Sequence, residues 1–162
     1  MSYRIGSGVD FHQLAETREL WIGGIRIPHH KGAVGHSDAD VLLHAICDAL
    51  LGALCLGDIG VHFPDTDDTY KNIDSKVLLT KTYSLVTDKG YAIVNIDSTL
   101  CLQEPKIMTF IPSMQIAIAE ILNINISDIS IKATTTEKMG FAGREEGLFA
   151  YATVLLSNLN TK

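Results

Sequence analysis

Several features that would place this chain of 162 residues in a function class at once are missing. No apolar run approaches the ~20 residues that a membrane-spanning helix needs, so we expect no membrane partner. Residues 1–11 lack a basic region followed by an apolar core, so we expect no signal peptide and a cytoplasmic protein. The formal net charge of −6 is opposite in sign to a general nucleic-acid-binding face, which argues against a nucleic-acid partner.

Cysteine is also scarce, since the chain has three and none of them shows CxxC spacing. Cys47, Cys55 and Cys101 stand in apolar surroundings. An odd, scattered set without an export signal indicates reduced thiols in a cytosol-like compartment. We predict that all three side chains are buried and structural, because free cysteine is among the most buried residue types.

The chain is long and apolar enough for a single domain over residues 1–162, and no linker, repeat or charge block divides it. Hydrophobic periodicity and turn residues predict a strand, a hairpin, two helices, a strand, a helix and two strands. This order favours an α/β fold (an α+β layered sandwich) with a mixed four-stranded sheet, helices on one face and a small hairpin. The other sheet face would be apolar, and we expect it to be buried against copies of the chain. The predicted ranges are 3–14, 20–28, 36–60 (the first helix and its closing turn), 74–88, 91–103, 111–122, 129–135 and 147–156.

The first helix begins in a polar stretch and continues with apolar residues at helical spacing. Ser37 or Asp38 would cap its N-terminus. Asp40 and His44 are four residues apart and therefore share a face, and His36 lies close by. A chemical site at this helix start and a solvated helix start with an ordinary capping aspartate are both open interpretations.

Asp10 and His12 are two residues apart on the first predicted strand, so their side chains project to the same face. On its own this pair fits a surface Asp and His at a strand end. With His44 from the neighbouring helix, it becomes a set of one oxygen and two nitrogen ligands. A catalytic Zn²⁺ needs three protein ligands and an open fourth position, so the set predicts a catalytic rather than a structural zinc site.

Two loops carry further polar side chains. His29 and His30 are adjacent, and we interpret them as a solvated pair in a mobile loop, because neighbours on a loop seldom converge on a metal. The acidic segment 62–68 is typical of a solvated connection, but Asp58 and Asp65 stand near the first helix, where a scaffold positions binding loops. Segment 62–68 is our candidate for a loop that closes over a substrate.

A run of three threonines, Thr134 to Thr136, follows the strand 129–135, and Glu137 and a glycine-rich turn that ends in Arg144 come next. Hydroxyls, free N–H groups and an arginine suit phosphate oxygens. Glu137 with the threonines would meet a second, harder cation. An ordinary turn with a surface arginine remains the alternative. Lys106 and Lys132 add local positive charge, and together these residues indicate metal-assisted attack on phosphorus.

Five motifs stand in order along the whole chain: GxDFH, HSDADVLLHAICDALLGALCLGDIG, FPDTD, QEPK and KATTTEKMGFAGREEG. With them the chain resembles the 2-C-methyl-D-erythritol 2,4-cyclodiphosphate synthase family of the non-mevalonate isoprenoid pathway. The resemblance implies a substrate, 4-diphosphocytidyl-2-C-methyl-D-erythritol 2-phosphate, whose 2-phosphate attacks the β-phosphorus of its diphosphate. CMP would leave, and the cyclic diphosphate would remain.

The resemblance also implies roles for single residues. Asp10, His12 and His44 would bind zinc, and Glu137 would help to bind Mg²⁺ or Mn²⁺. His36 and Thr135 would be catalytic and would steady the charged transition state, with His36 and Ser37 on the attacking phosphate. The implied substrate-binding residues are Asp10, Phe11, His12, His36, Ser37, Asp58, Ile59, Gly60, Phe63, Pro64, Asp65, Thr66, Asp67, Leu102, Gln103, Glu104, Pro105, Lys106, Ile107, Met108, Thr134, Thr135, Thr136, Glu137, Phe141 and Arg144.

The family is a homotrimer with each site between two subunits, and its three-fold channel can hold an isoprenoid diphosphate. Arg144 could act in that channel instead of in the active site. Ser7 departs from the histidine that many relatives have beside the Asp-x-His motif. Two other functions stay open: a two-metal phosphohydrolase, for which the ligand set is thin, and a non-catalytic trimer that binds metal or isoprenoid.

Overall fold

The computed structural model describes residues 2–159, and within them the order of long elements is the predicted one. The strands are β1 (Tyr3–Glu16), β2 (Leu20–Ile22), β3 (Ile25–Ile27), β4 (Lys31–Val34), β5 (Tyr91–Cys101), β6 (Ile129–Thr134) and β7 (Gly147–Asn158). The helices are α1 (Val41–Ala53), α2 (Ile59–His62), α3 (Ser75–Asp88), α4 (Ile111–Leu122) and α5 (Gly140–Gly143). The one-turn helices α2 and α5 were not predicted, because four residues show no helical period.

The main sheet has the strand order β4-β1-β7-β5-β6, and β2 and β3 form a separate hairpin. β5 and β6 are parallel, whereas the other neighbours in the sheet are antiparallel, so the sheet is mixed as predicted. The predicted number of four strands is wrong, because β4 adds a fifth. Its first two residues, Lys31 and Gly32, are predicted to continue the polar loop of His29 and His30, and a strand of four residues is too short to show alternation. It pairs with the end of β1, from Glu16↔Lys31 to Gln13↔Val34.

Helix α1 lies directly on β1 because two glycines of that strand have no side chain. A Cβ atom at Gly6 would lie 1.9 Å from the backbone oxygen of Ala49, and one at Gly8 would lie 2.1 Å from that of Ala45. Gly6 and Gly8 belong to the even-numbered row of β1, which faces the helix. Asp10 and His12 continue this row, so the same alternation aims both side chains at α1.

The N-terminus of α1 is capped by Asp40, and the predicted caps Ser37 and Asp38 are wrong. The Asp40 side chain is fully buried and accepts N–H bonds from Leu43 (3.1 Å), Gly23 (2.9 Å) and Gly24 (2.7 Å). The last two donors belong to the β2–β3 turn. Asp40 therefore fastens the hairpin to the helix, a tertiary role that local capping preference does not reveal.

The sheet face opposite the helices carries exposed apolar side chains, as predicted. On β1 these are the odd-numbered residues, and Ile5 is the most exposed of them at 71%. The exposed apolar side chains on β1 and on β7 are Tyr3, Ile5, Val9, Phe11 and Tyr151. An apolar face of this kind is typical of a surface that another protein surface covers.

The cysteines depart in part from prediction. Cys47 and Cys101 are buried, and burial raises the pKa of the Cys47 thiol to about 12. Cys55 is exposed, in contrast to our prediction. It follows the end of α1 with a φ of 57°, where the chain turns outward. None of the helices described in residues 2–159 is long and apolar enough to cross a membrane.

Candidate metal centre and substrate pockets

Asp10, His12 and His44 converge where β1 meets α1. Oδ2 of Asp10 lies 2.9 Å from Nε2 of His12 and 3.1 Å from Nδ1 of His44. The two ring nitrogens are 3.1 Å apart. The three side chains are largely buried, with exposed fractions of 25%, 14% and 12% respectively. One carboxylate oxygen and two imidazole nitrogens thus form a nearly equilateral triangle.

This triangle fits one face of a zinc coordination tetrahedron. Ligand distances of about 2.0–2.1 Å place neighbouring ligand atoms roughly 3.3 Å apart, close to the separations found here. The donor set of two imidazoles and a carboxylate suits zinc and other first-row transition metals better than Mg²⁺. Three protein ligands leave a fourth position for a substrate oxygen, as in catalytic zinc sites.

Hydrogen bonds outside the triangle give both imidazoles the tautomer that a metal needs. Nδ1 of His12 lies 2.9 Å from the carbonyl oxygen of Val34, which only accepts, so Nδ1 carries the proton and Nε2 keeps its lone pair. Nε2 of His44 lies 2.9 Å from Oγ of Ser75. The Ser75 hydroxyl donates to Oδ1 of Asp38 and therefore accepts from His44. Nδ1 of His44 is then free to bind a metal.

The electrostatics of the triangle favour the charged carboxylate of Asp10 and the protonated imidazole of His12. Burial by itself raises the pKa of Asp10, but hydrogen bonds with His12 and His44 hold it far below the usual range. Burial by itself lowers the pKa of His12, and the bond to Asp10 outweighs this and raises it. A metal ion would take the place of the shared proton, so binding releases protons and weakens in acid.

Asp40 does not join this centre, although it shares a helix face with His44. Its carboxylate points to the β2–β3 turn and is used by three backbone donors. Asp48, which the sequence analysis did not single out, lies on the same helix one turn beyond His44. Its Oδ1 accepts a 2.7 Å bond from the N–H of Ile59 and so positions the start of α2. The spacing of four residues from His44 was an available signal for it.

A cavity of about 160 Å³ opens beside His12 and His44. Its wall includes the predicted residues His36, Ser37, Ile59, Phe63 and Asp65. The structure therefore brings these parts of three separate motifs together. Oγ of Ser37 lies 3.2 Å from Nε2 of His44, and His36 is exposed at the mouth.

Two predicted residues, Asp58 before the acidic segment and Asp67 within it, act locally as helix caps. Asp58 caps α2 and accepts from the N–H of Val61 at 3.1 Å, and Asp67 caps the one-turn helix Asp68–Tyr70 through the N–H of Thr69. The side chain of Thr69 also donates to Asp67, which lowers the pKa of that carboxyl. Gly60, Pro64 and Thr66 lie close to these caps in the chain but do not line the cavity beside His12 and His44.

A second cavity, of about 400 Å³, lies at the end of β6. Its wall contains many of the residues predicted for the cytidine side, namely Leu102, Pro105, Lys106, Ile107, Met108, Thr134 and Thr135. Two further predicted residues stabilise the adjoining turn. The side chain of Gln103 accepts from the N–H of Lys138 at 3.1 Å, and the hydroxyl of Thr136 donates to the carbonyl oxygen of Met139 at 2.5 Å. Glu104 lies 3.9 Å from Lys106.

Thr135 and Glu137 form a small exposed unit beside this second cavity. Oγ1 of Thr135 donates to Oε1 of Glu137 at 3.1 Å and accepts from its N–H at 3.2 Å. Glu137 has a left-handed φ of 52°, which turns the chain out of β6. Within residues 2–159, no histidine, cysteine or second carboxylate joins Glu137 in a metal-capable group, so a cation there would depend on substrate oxygens.

The expected cationic cluster is mostly neutralised by neighbouring carboxylates. Arg144 donates to both carboxylate oxygens of Glu146, at 2.9 and 3.0 Å, and this bond raises the pKa of Arg144. Lys132 donates to Asp97 at 2.6 Å. Phe141 is close to Phe11, with ring centroids 6.0 Å apart. Lys106, with a side chain 73% exposed, is the cation of this group with the weakest pairing.

The two cavities lie beside different strands of the sheet, the first at β1 and the second at the edge strand β6. Phe11 of β1 pairs with Phe149, which pairs with Cys101, which pairs with Thr134 of β6. Three strand spacings of ~4.8 Å separate these ends by about 14 Å. On a single chain, the triangle of Asp10, His12 and His44 and the Thr135–Glu137 unit are therefore far apart.

Comparison with known proteins decides the family. The model of the YgbB family matches residues 3–157. The chain belongs to the YgbB family. Curated relatives named 2-C-methyl-D-erythritol 2,4-cyclodiphosphate synthase include one from Bacteroides fragilis, which is 62% identical over 98% of this chain and 100% of its own length. Another, from Bacteroides thetaiotaomicron, is 62% identical over 96% of this chain and 98% of its own length. The resemblance predicted from the motifs is thus confirmed.

Solved structures agree with this family assignment. The bifunctional IspDF from Campylobacter jejuni has a TM-score of 0.92 and 43% identity, and the match covers 96% of this chain and 42% of that chain. IspF from Plasmodium falciparum in a CDP complex has a TM-score of 0.86 and 34% identity, over 98% of both chains. The layered fold of this YgbB-family chain is therefore shared by proteins of known structure.

Two positioning residues of this YgbB-family chain escaped sequence reasoning. The sequence predicts a possible capping role for Asp38 and no role for Ser75. Asp38 accepts from both the N–H and the hydroxyl of Ser75, and Ser75 orients His44. They are 37 residues apart, and no local pattern in the sequence pairs them.

Proposed function

We propose that this chain, as one synthase domain over residues 1–162, is a zinc-dependent phosphorus–oxygen lyase of isoprenoid-precursor biosynthesis in the cytoplasm. It converts 4-diphosphocytidyl-2-C-methyl-D-erythritol 2-phosphate to 2-C-methyl-D-erythritol 2,4-cyclodiphosphate and CMP. The observation that carries the proposal is the convergence of Asp10, His12 and His44 beside a cavity. The curated relatives that bear the name of this synthase support the substrate and product.

The reaction is an intramolecular displacement at phosphorus. An oxygen of the 2-phosphate forms a bond to the β-phosphorus, while the bond from the β-phosphorus to the oxygen bridging towards CMP breaks. The electron pair of that bond leaves with CMP, so no water is consumed. The protein has to position two anionic groups, neutralise charge and exclude water.

Asp10, His12 and His44 would hold Zn²⁺, which supplies positive charge to orient and polarise a phosphate oxygen when bound. His36 and Ser37, at the adjoining cavity, would donate hydrogen bonds to the attacking 2-phosphate. Asp58, Phe63 and their neighbours would enclose the erythritol portion, with the free oxygen of Asp58 accepting from its hydroxyls.

The second cavity suits the nucleotide side of the substrate. Residues 102–108 supply apolar surface and backbone groups, and Lys106 can reach phosphate with an exposed ammonium. Thr135 would donate to the transferring phosphate, and Glu137 would bind Mg²⁺ or Mn²⁺ together with diphosphate oxygens. The Plasmodium falciparum relative solved in a CDP complex supports a cytidine nucleotide as ligand.

We further propose a homotrimer with each site between two chains. The uncovered apolar sheet face supports association, and the separation of about 14 Å between the two half-sites supports a site made from two neighbours. The rings of Phe11, Phe141 and Phe149 cluster on this face, with Phe11 and Phe149 stacked at 5.1 Å. In a trimer these rings, with Arg144 nearby, would line a channel suited to an isoprenoid diphosphate.

The experiment that tests the function is phosphorus NMR of the purified full chain with substrate, Zn²⁺ and Mg²⁺. Coupled cyclic-diphosphate signals that grow together with CMP support the proposal. A linear hydrolysis product would instead indicate a phosphohydrolase. Unchanged substrate with a folded, zinc-loaded chain would contradict catalysis and favour a binding protein.

A further inference from the structure

A second group of metal-capable side chains lies outside the site described above. It consists of His29, His30 and Glu145, and one ligand atom from each lies within 4.8 Å of the others. The imidazole rings have centroids 4.3 Å apart at 61°. His29 and Glu145 are partly buried, and His30 is exposed. This group shares no residue with the Asp10 triangle.

The sheet brings the members of this group together from distant parts of the chain. His29 and His30 precede β4, whose first residue, Lys31, pairs with β1. Glu145 precedes β7, which pairs with the other edge of β1. Nζ of Lys31 also donates to the carbonyl oxygen of Glu145 at 3.1 Å, so the two segments are held side by side. The chain bends at His30, and its ring lies close to that of His29.

One ring nitrogen of this group is buried without a hydrogen-bond partner among residues 2–159. This atom is Nε2 of His29. A buried polar atom without a partner costs free energy, and coordination to a metal ion would remove that cost.

We propose that His29, His30 and Glu145 form a second metal site that takes a divalent first-row transition metal such as Zn²⁺. Two imidazole nitrogens and a carboxylate oxygen favour this class of ion over Mg²⁺ or Ca²⁺. The exposed edge at His30 leaves the remaining coordination positions to water. A bound ion would join the segment before β4 to the turn before β7, and so would fix the turn that carries Arg144 and Glu146.

The test counts Zn²⁺ ions on the metal-stripped full chain by calorimetry, and follows Co²⁺ by its visible absorption. The wild-type chain should bind an ion at each of the two groups. Glu145→Gln and His30→Gln should each weaken the binding of Zn²⁺ at the second site by roughly tenfold or more, and should leave the affinity of the first site unchanged. Glu146→Gln, the matched control at the next carboxylate, should bind like wild type.

A variant without the first metal site, His44→Ala, allows binding at the second site to be measured by itself. In His44→Ala, Zn²⁺ should still bind and raise the melting temperature, and adding Glu145→Gln should weaken that binding by roughly tenfold or more and reduce the rise in melting temperature. The proposal is overturned if His44→Ala binds no Zn²⁺, or if its binding is the same with and without Glu145→Gln. Because the readouts are metal content and melting temperature, they are independent of the catalytic proposal.

Discussion

The buried carboxylate of Asp40 offers a sharp test of how the helix and hairpin are joined. It accepts three backbone N–H bonds, at 2.7, 2.9 and 3.1 Å, from Gly24, Gly23 and Leu43. Asp40→Ala removes both carboxylate oxygens and leaves the three N–H donors without their acceptor. An unsatisfied buried donor costs about 1–3 kcal/mol, and the Gly24 donor is partly open to water.

We therefore expect Asp40→Ala to lower the free energy of unfolding by about 3–5 kcal/mol, a large share of the ~5–15 kcal/mol of a typical domain. Asp40→Asn should lower the free energy of unfolding by less. Its amide oxygen can still accept hydrogen bonds, and only the NH₂ group that replaces the other oxygen faces an N–H donor. Urea unfolding followed by circular dichroism measures the loss, at one fixed chain concentration since association affects the midpoint.

Asp74→Ala is the matched control, since Asp74 also caps a helix, by accepting from the N–H of Lys76 at 2.8 Å. Its side chain is 45% exposed, so water replaces the lost acceptor, and we expect a loss of about 1 kcal/mol. If Asp40→Ala costs no more than Asp74→Ala, the reasoning about buried donors is refuted.

Four further predictions concern the metal centre and the assembly. His44→Ala should lose the zinc of the Asp10 triangle and all activity while circular dichroism shows a folded chain. Glu137→Gln should depress turnover by far more than it depresses zinc content, and equal losses would contradict separate metal roles. Ser75→Ala should weaken zinc binding about 10- to 100-fold, because His44 loses the hydroxyl that orients its ring. Ser84→Ala, on the exposed side of α3, should leave zinc binding unchanged. Ile5→Glu should give a monomer by light scattering where wild type gives a trimer, and Val77→Glu, which is exposed on α3, should keep the trimer.

Much of the fold and of the metal centre follows from periodicity. The period of two along β1 predicts that Asp10 and His12 share a face, and the structure places both towards α1. The helical spacing likewise predicts the buried side of α1, on which His44 approaches the strand. These inferences hold because side-chain direction is a local property of regular elements.

The features that sequence reasoning missed depend on tertiary contacts. Ser37, Asp38 and Asp40 are all competent caps, and the choice of Asp40 is made by the N–H groups of a hairpin turn 16 and 17 residues earlier. Strand β4 exists because β1 extends far enough to pair with it. The roles of Asp38 and Ser75 arise only when α1 and α3 pack together. Each of these contacts joins segments that are distant in the sequence, so it can be found only once the fold is known.

The central claim is that the Asp10 triangle of one chain and the Thr135–Glu137 unit of another act on one substrate. Co-refolding His44→Ala with Glu137→Gln in equal amounts tests it, because each variant alone is expected to be inactive. If each site draws its halves from two chains, about one quarter of the sites pair an intact triangle with an intact unit. We therefore expect roughly a quarter of wild-type turnover by phosphorus NMR, and none from His44→Ala mixed with Asp10→Asn. No turnover in the first mixture, with mixed trimers shown to form, would contradict the account.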